Sequence, residues 1–189
     1  MQGTARRKLD IKWAAAFNPA FINRPFVEEA VKAGCDLFSF SPDGASNNSM
    51  RLLGKNFSVD SVEKTITLAR KTTGVNVGYS FLYDLPDYNG EHILGLLRLV
   101  AKMMSSLGSK LHFLSFSKIR IYPHTLIYKT ALQRGKIDER TDLLFPIYYE
   151  SDSPINPAGL LPNVLRGSVI IFDKARKKLV RDSSFKFCS

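Results

Sequence analysis

Three short polar segments hold most of the residues able to do chemistry: 42–48, 83–89 and 122–125. Their candidate ligand contacts are Asp43, Ser46, Tyr83, Asp84, Tyr122 and His124. Together these offer carboxylates, a hydroxyl, phenols and an imidazole, a set suited to hydrogen-bonding a polar small molecule. Asp43 lies between Pro42 and Gly44, so an Asx turn accounts for it as well as a ligand contact does. Arg120 alternates with Ile119 and Ile121, and an arginine facing inward there would suit a carboxylate substrate. A surface pairing fits Arg120 equally. Asp84 and His124 follow what read as neighbouring strands, so their side chains would approach across a site mouth. Two unrelated solvated turn residues are the alternative.

Metal chemistry has little to build on. The chain has two cysteines, Cys35 and Cys188, and three histidines. Neither His92 nor His112 has a partner at a metal-ligand spacing, so no metal ligand is assigned. Cys35 reads as a buried, inert thiol, and so few cysteines fit a reducing compartment.

The segments need strands to carry them. Apolar runs at 11–17, 36–41, 75–83 and 111–122 read as strands. Amphipathic stretches between them read as helices, with Pro25 opening one and glycines 34, 54, 74, 108 and 135 closing successive elements. A helix over 91–107 carries Ile93, Leu96, Leu97, Val100 and Met104 at helical spacing. Thr125 caps the last. Alternating strands and helices joined by short loops predict a parallel sheet, and such sheets bind ligands at the carboxyl ends of their strands. The expected fold is α/β: a partial (β/α) barrel of about four parallel strands with outer helices, followed by an irregular C-terminal tail. The barrel occupies residues 1–137. Residues 138–189 form the tail, with a hairpin near 168–182, packed on the same domain. Phe40, Phe81, Phe113 and Phe116 read as core.

Composition narrows the classes. At 189 residues and 44% hydrophobic the chain can build a core, but a complete eight-unit barrel needs about 250 residues. No secretion or membrane segment is read, so a cytoplasmic location is expected. The net charge is +10, and the densest basic run is Lys174, Arg176, Lys177, Lys178 and Arg181. It reads as a solvated turn between strands. No stacking platform accompanies it, so nucleic-acid binding is a third-ranked function.

Four stretches, taken in order, resemble the second half of a radical S-adenosylmethionine (radical SAM) barrel. They are Ala33-Gly-Cys-Asp-Leu-Phe-Ser-Phe-Ser-Pro-Asp-Gly-Ala-Ser46, Leu53-Gly-Lys-Asn-Phe-Ser-Val-Asp-Ser-Val62, Val77-Gly-Tyr-Ser-Phe-Leu-Tyr-Asp-Leu-Pro86 and Ile119-Arg-Ile-Tyr-Pro-His-Thr-Leu-Ile-Tyr128. The similar branch is cobalamin-associated and includes anaerobic magnesium-protoporphyrin monomethyl ester cyclase-like proteins. The resemblance implies reductive cleavage of S-adenosylmethionine (SAM) by a [4Fe-4S] cluster, with Asp43, Ser46, Tyr83, Asp84, Tyr122 and His124 near the cofactor.

Two departures stand out. Asp84 and His124 occupy positions where the family has glycine, as does Asp87. The family's Cys-x-x-x-Cys-x-x-Cys loop, whose thiolates hold the cluster, is absent. The expectation is therefore a C-terminal part of a radical SAM enzyme, inactive alone and holding neither cofactor tightly: a fragment, one part of a split enzyme, or a remnant. A partner chain supplying the other barrel half, or self-association through the edge of the first strand, follows from that. The alternative is a non-catalytic half-barrel that binds or scaffolds.

Overall fold

A computed structural model describes residues 11–86 and 90–152. Its spine is a parallel sheet of four strands: β1 (Trp13–Ala16), β2 (Cys35–Asp43), β3 (Asn76–Tyr83) and β4 (Leu111–Lys118). Their order in the sheet is their order in the chain, with each strand parallel to the next. Crossover helices connect them: α1 (Arg24–Lys32), α2 (Asn47–Leu52), α3 (Val59–Lys71) and α4 (Gly90–Leu107), with α5 (Leu126–Gln133) after β4. This is the expected α/β class and a partial (β/α) barrel. Among the described residues, β1 pairs with β2 alone. Also among them, no helix is long and apolar enough to cross a membrane.

The helices begin where local chemistry satisfies their first amides. The Asn23 side chain accepts from the Phe26 N–H at 2.9 Å, and Pro25 sits in the first turn, where its missing donor costs nothing. Ser46 and Ser49 cap α2 reciprocally, and Thr125 Oγ1 accepts from the Tyr128 N–H at 3.2 Å. The carboxyl end of α3 is closed from a distance. The Lys110 ammonium donates to the carbonyls of Ala69, Arg70 and Thr72 at 2.9, 2.9 and 2.7 Å. A cation there also meets the negative end of the helix dipole.

The helices cover one face of the sheet. Phe38, Phe40, Tyr79 and Phe81 point into it and pack with Val62, Ile66, Leu96, Leu99 and Met103. Phe40 stacks on Tyr79 with ring centroids 5.3 Å apart, and the Tyr79 hydroxyl meets Thr65 Oγ1 at 3.0 Å. Burying each large apolar side chain contributes about 1.5–3 kcal/mol, so this layer dominates stability. The opposite face carries small residues. Ala14, Ala16, Ser39, Gly78, Ser80, Ser115 and Ser117 alternate with the core positions and are half-buried, exposed or, at Gly78, covered by the Phe113 ring. Phe113 was expected in the core with Phe40, Phe81 and Phe116. It lies instead on this second face, because it is register-paired with Gly78 and a side chain there has room only over a glycine.

The sequence also predicts a fourth strand running to Tyr122, whereas β4 ends at Lys118. Beyond it the chain pairs antiparallel with a later segment. The Ile121 N–H donates to Ile147 O, and the Tyr149 N–H donates to Ile119 O, each at 2.9 Å. The pairing is driven by a second small core of Ile121, Ile127, Ala131, Ile137 and Tyr149. The hairpin expected at 168–182, the basic run and Cys188 lie outside the described residues.

Candidate functional site

A residue with left-handed backbone lies at the carboxyl end of β2, just past that of β3 and in the loop after β4. Asp43, Asp84 and His124 have φ of 60°, 62° and 64°, and they are the non-glycine residues with positive φ among those described. Asp and the imidazole of His tolerate this conformation better than most side chains, at a cost of about 1–3 kcal/mol each. One extra residue in β2, between its pairings at Phe40 and Asp43, helps turn Asp43 out of the ladder.

Each of these residues has definite surroundings. The Asp43 carboxylate is ion-paired with the Lys55 ammonium, which also donates to Ser41 O at 3.2 Å. Ser46 is buried and serves as the cap of α2. Tyr83 is half-buried at the end of β3. Asp84 is 1% exposed, accepts the Ser151 N–H at 2.9 Å and lies 4.0 Å from the Lys118 ammonium. His124 is exposed, its ring centroid 6.5 Å from that of Tyr128. Asp84 is thus engaged by Ser151 and Lys118 beneath the surface, whereas His124 is exposed.

The concavity lies to one side of these loops. A cleft of about 660 Å³ opens between α2, the ends of β3 and β4, and α5. Of the six candidate residues, Tyr122 alone lines it. Its charged lining is Arg51, Lys118, Arg120 and Arg134, with no carboxylate among the lining residues. Sequence reasoning weighed Arg120 but passed over the other three. Nothing in the sequence marks Lys118, because the apolar–polar alternation runs on to Tyr122. Arg134 could have been found from Leu126 and Thr130, which precede it at four-residue steps along one helix face.

The electrostatics of the lining are uneven. Lys118 is paired with Glu150, which raises the lysine's pKa above its ordinary value and lowers that of the carboxylate. Arg120 lies with its guanidinium carbon 4.8 Å from the Tyr122 ring centroid, a cation–π contact, and donates to Leu144 O at 3.4 Å. Its Nε is buried with no hydrogen-bond partner among the described residues. Beside the cleft, His92 in the first turn of α4 is 2% exposed, and burial pushes its pKa down to about 4, against a hydrogen bond with the Leu82 backbone. Its imidazole is therefore neutral at pH 7.

Compared with known families, the chain matches no family model, and no curated protein matches it. A match among solved structures is the radical S-adenosylmethionine methyltransferase TsrM from Kitasatospora setae, with cobalamin and a [4Fe-4S] cluster bound. The TM-score is 0.58 at 16% identity, over 85% of this chain and 32% of that one. The likeness is one of fold, four parallel strands with outer helices. The chain spans about a third of the length of TsrM.

For the cluster that the sequence resemblance implies, the described residues offer no fitting donor set. The described residues hold no group of three His, Cys, Asp or Glu side chains able to take a metal, and the whole chain has two cysteines. Cys35 is 1% exposed at the amino end of β2, opposite the cleft, and burial pushes its thiol up to about 11. A cluster ligand must be a thiolate, so Cys35 is unsuited. The residues first associated with SAM fit little better. Asp43, Ser46 and Asp84 are engaged by Lys55, the α2 cap and Ser151, and none of the three lines the cleft.

Proposed function

We propose that this chain is the C-terminal, substrate-side part of a radical SAM-type barrel and is inactive alone. The observation that carries the reading is the run of four sequential parallel strands, alike in fold to part of TsrM, with its cleft at the carboxyl ends of β3 and β4. The chain's own residues would shape and charge the substrate pocket. The cluster ligands, and most contacts to SAM, would come from strands joined to the edge of β1 that is unpaired among the described residues, in the same polypeptide or in a partner chain. A bare strand edge invites such pairing, and in isolation it favours self-association. No step of the chemistry is assigned to this chain, because it offers no thiolate set for the cluster.

A non-catalytic half-barrel is the second reading. It is favoured by the structural engagement of Asp43, Ser46 and Asp84. One experiment separates the two: the βα units of TsrM that carry its cluster are fused ahead of Trp13, and both proteins are reconstituted anaerobically. The chain alone is expected to hold little iron and sulfide. The fusion is expected to hold a near-stoichiometric cluster and to cleave SAM. A stoichiometric cluster on the chain alone overturns the proposal. A fusion with an intact cluster and no SAM cleavage selects the non-catalytic reading.

A further inference from the structure

We propose that the cleft binds a ligand with an apolar body and a carboxylate, the carboxylate being held by Arg51 and Arg120. This names the ligand class of the substrate pocket and rests on the reading above only for the cleft's role in a reaction.

Charge is the first argument. Among the described residues, four cationic side chains and no carboxylate line the cleft. Lys118 is largely compensated by Glu150 and Asp84. Arg51 and Arg120 are not: Arg51 donates to the neutral Asn48 Oδ1 at 2.8 Å, and Arg120 contacts a carbonyl and an aromatic ring. Neither has a carboxylate partner among the described residues.

The second argument is the buried, unpartnered Nε of Arg120. A buried donor left without an acceptor has lost its water without gaining a partner, a cost that an incoming carboxylate oxygen would offset. The guanidinium fork also matches a carboxylate in geometry, so the bond formed is charge-assisted.

The third argument is the rest of the lining. Leu52, Tyr122 and Leu126 are large, 39%, 52% and 61% exposed, and gathered at this one cleft. Leu82, Leu85 and Pro86 continue the apolar wall. A purely ionic ligand would leave that surface in water. A cavity of this size accepts a small organic molecule, and an apolar wall with a few convergent polar groups is the usual make-up of such a site.

The test uses the full chain and two fluorescent probes that differ only in the head group, 1-pyrenebutyrate and 1-pyrenebutanol. The butyrate is expected to bind at least about tenfold more tightly, as one charge-assisted contact would give. Arg120→Met and Arg51→Met are each expected to weaken the butyrate about tenfold while changing the butanol less than about twofold. Lys64→Met, on the exposed side of α3, changes neither. Arg120→Lys keeps the charge without the fork and falls between wild type and Arg120→Met. Should Arg120→Met fail to fold, Arg51→Met and the probe pair still decide. Equal binding of acid and alcohol overturns the proposal, as does indifference of the butyrate to both arginine variants. Displacement of the butyrate by millimolar inorganic phosphate also overturns it, since the site would then read charge alone. SAM cleavage by the fusion protein is a separate readout, so either inference can fail without the other.

Discussion

One face of the sheet is filled with aromatic rings under helices, and the other presents mostly alanine, serine and glycine, with Leu37, Leu82 and Phe113 among them. The covered face carries Phe38, Phe40, Tyr79 and Phe81, all 2% exposed or less. The second face carries Ala14, Ala16, Ser39, Ser80, Ser115 and Ser117, of which Ala14, Ala16, Ser115 and Ser117 are exposed. The same backbone thus serves two purposes by alternation alone. A barrel interior made only for stability is filled with branched apolar side chains. Small polar residues there leave room for something else, and that agrees with a pocket-forming half-barrel better than with a self-sufficient packed core.

The largest effect should come from exchanging treatment between the faces. Tyr79→Ala is expected to cost about 3–5 kcal/mol, through lost burial and the cavity left behind. Ser115→Ala on the other face should stay within about 0.5 kcal/mol. Urea unfolding of both variants measures the asymmetry, and similar costs would abolish the distinction.

The polar member near the covered face comes next. His92 has its pKa lowered to about 4 in the folded state, against about 6.5 when unfolded. Between those values the unfolded chain binds the proton and the folded chain does not, so stability falls as pH drops from about 6.5 to 4 and is fully present above 6.5. The loss should total about 3 kcal/mol. His92→Gln should flatten that part of the profile. An unchanged slope in the variant would show that His92 is already solvated.

A smaller effect tests the one ring on the second face. A Cβ at Gly78 would collide with the Phe113 ring, so Gly78→Ala should cost about 1–3 kcal/mol. Phe113→Leu in the same chain should recover part of that. Additive costs in the double mutant would mean that the contact is absent in solution.

The smallest effects belong to the left-handed positions. His124→Gly should stabilise by up to about 1 kcal/mol, because glycine takes that backbone without strain and the exposed imidazole has no hydrogen bond to lose among the described residues. Asp84→Gly should destabilise despite the same relief, since Ser151 and Lys118 lose their partner. A comparable gain at both sites would make strain, not bonding, the governing term at the strand ends.

Much of the element order is legible in the sequence because its punctuation is local. Asn23, Ser46 and Thr125 cap helices, and the positive-φ glycines 34, 54, 74, 108 and 135 lie at element ends. The end of β4 is not legible. Ile119 to Tyr122 continues the apolar–polar alternation, and what diverts it is a partner at Ile147 to Tyr149, more than twenty residues on. The site divides in the same way. Asp43, Asp84 and His124 follow recognisable strand-to-loop turns, so the rim could be located. The cleft could not, because Arg51, the Lys118–Arg120 segment and Arg134 come from three places in the chain and converge only after folding. Phe113 was misplaced for a related reason: its face is set by register against Gly78.

The grip of Lys110 on the end of α3 bears on the order in which the molecule assembles. Its three acceptors lie 38 to 41 residues earlier in the chain. The final turn of α3 therefore has no local means of completing itself through these bonds and must wait for the start of β4 to arrive. Nascent helix can form over most of α3 within microseconds, but closure of its last turn is a timing mark for the docking of β4. In a sheet whose strands join strictly one after another, that mark falls at the last addition.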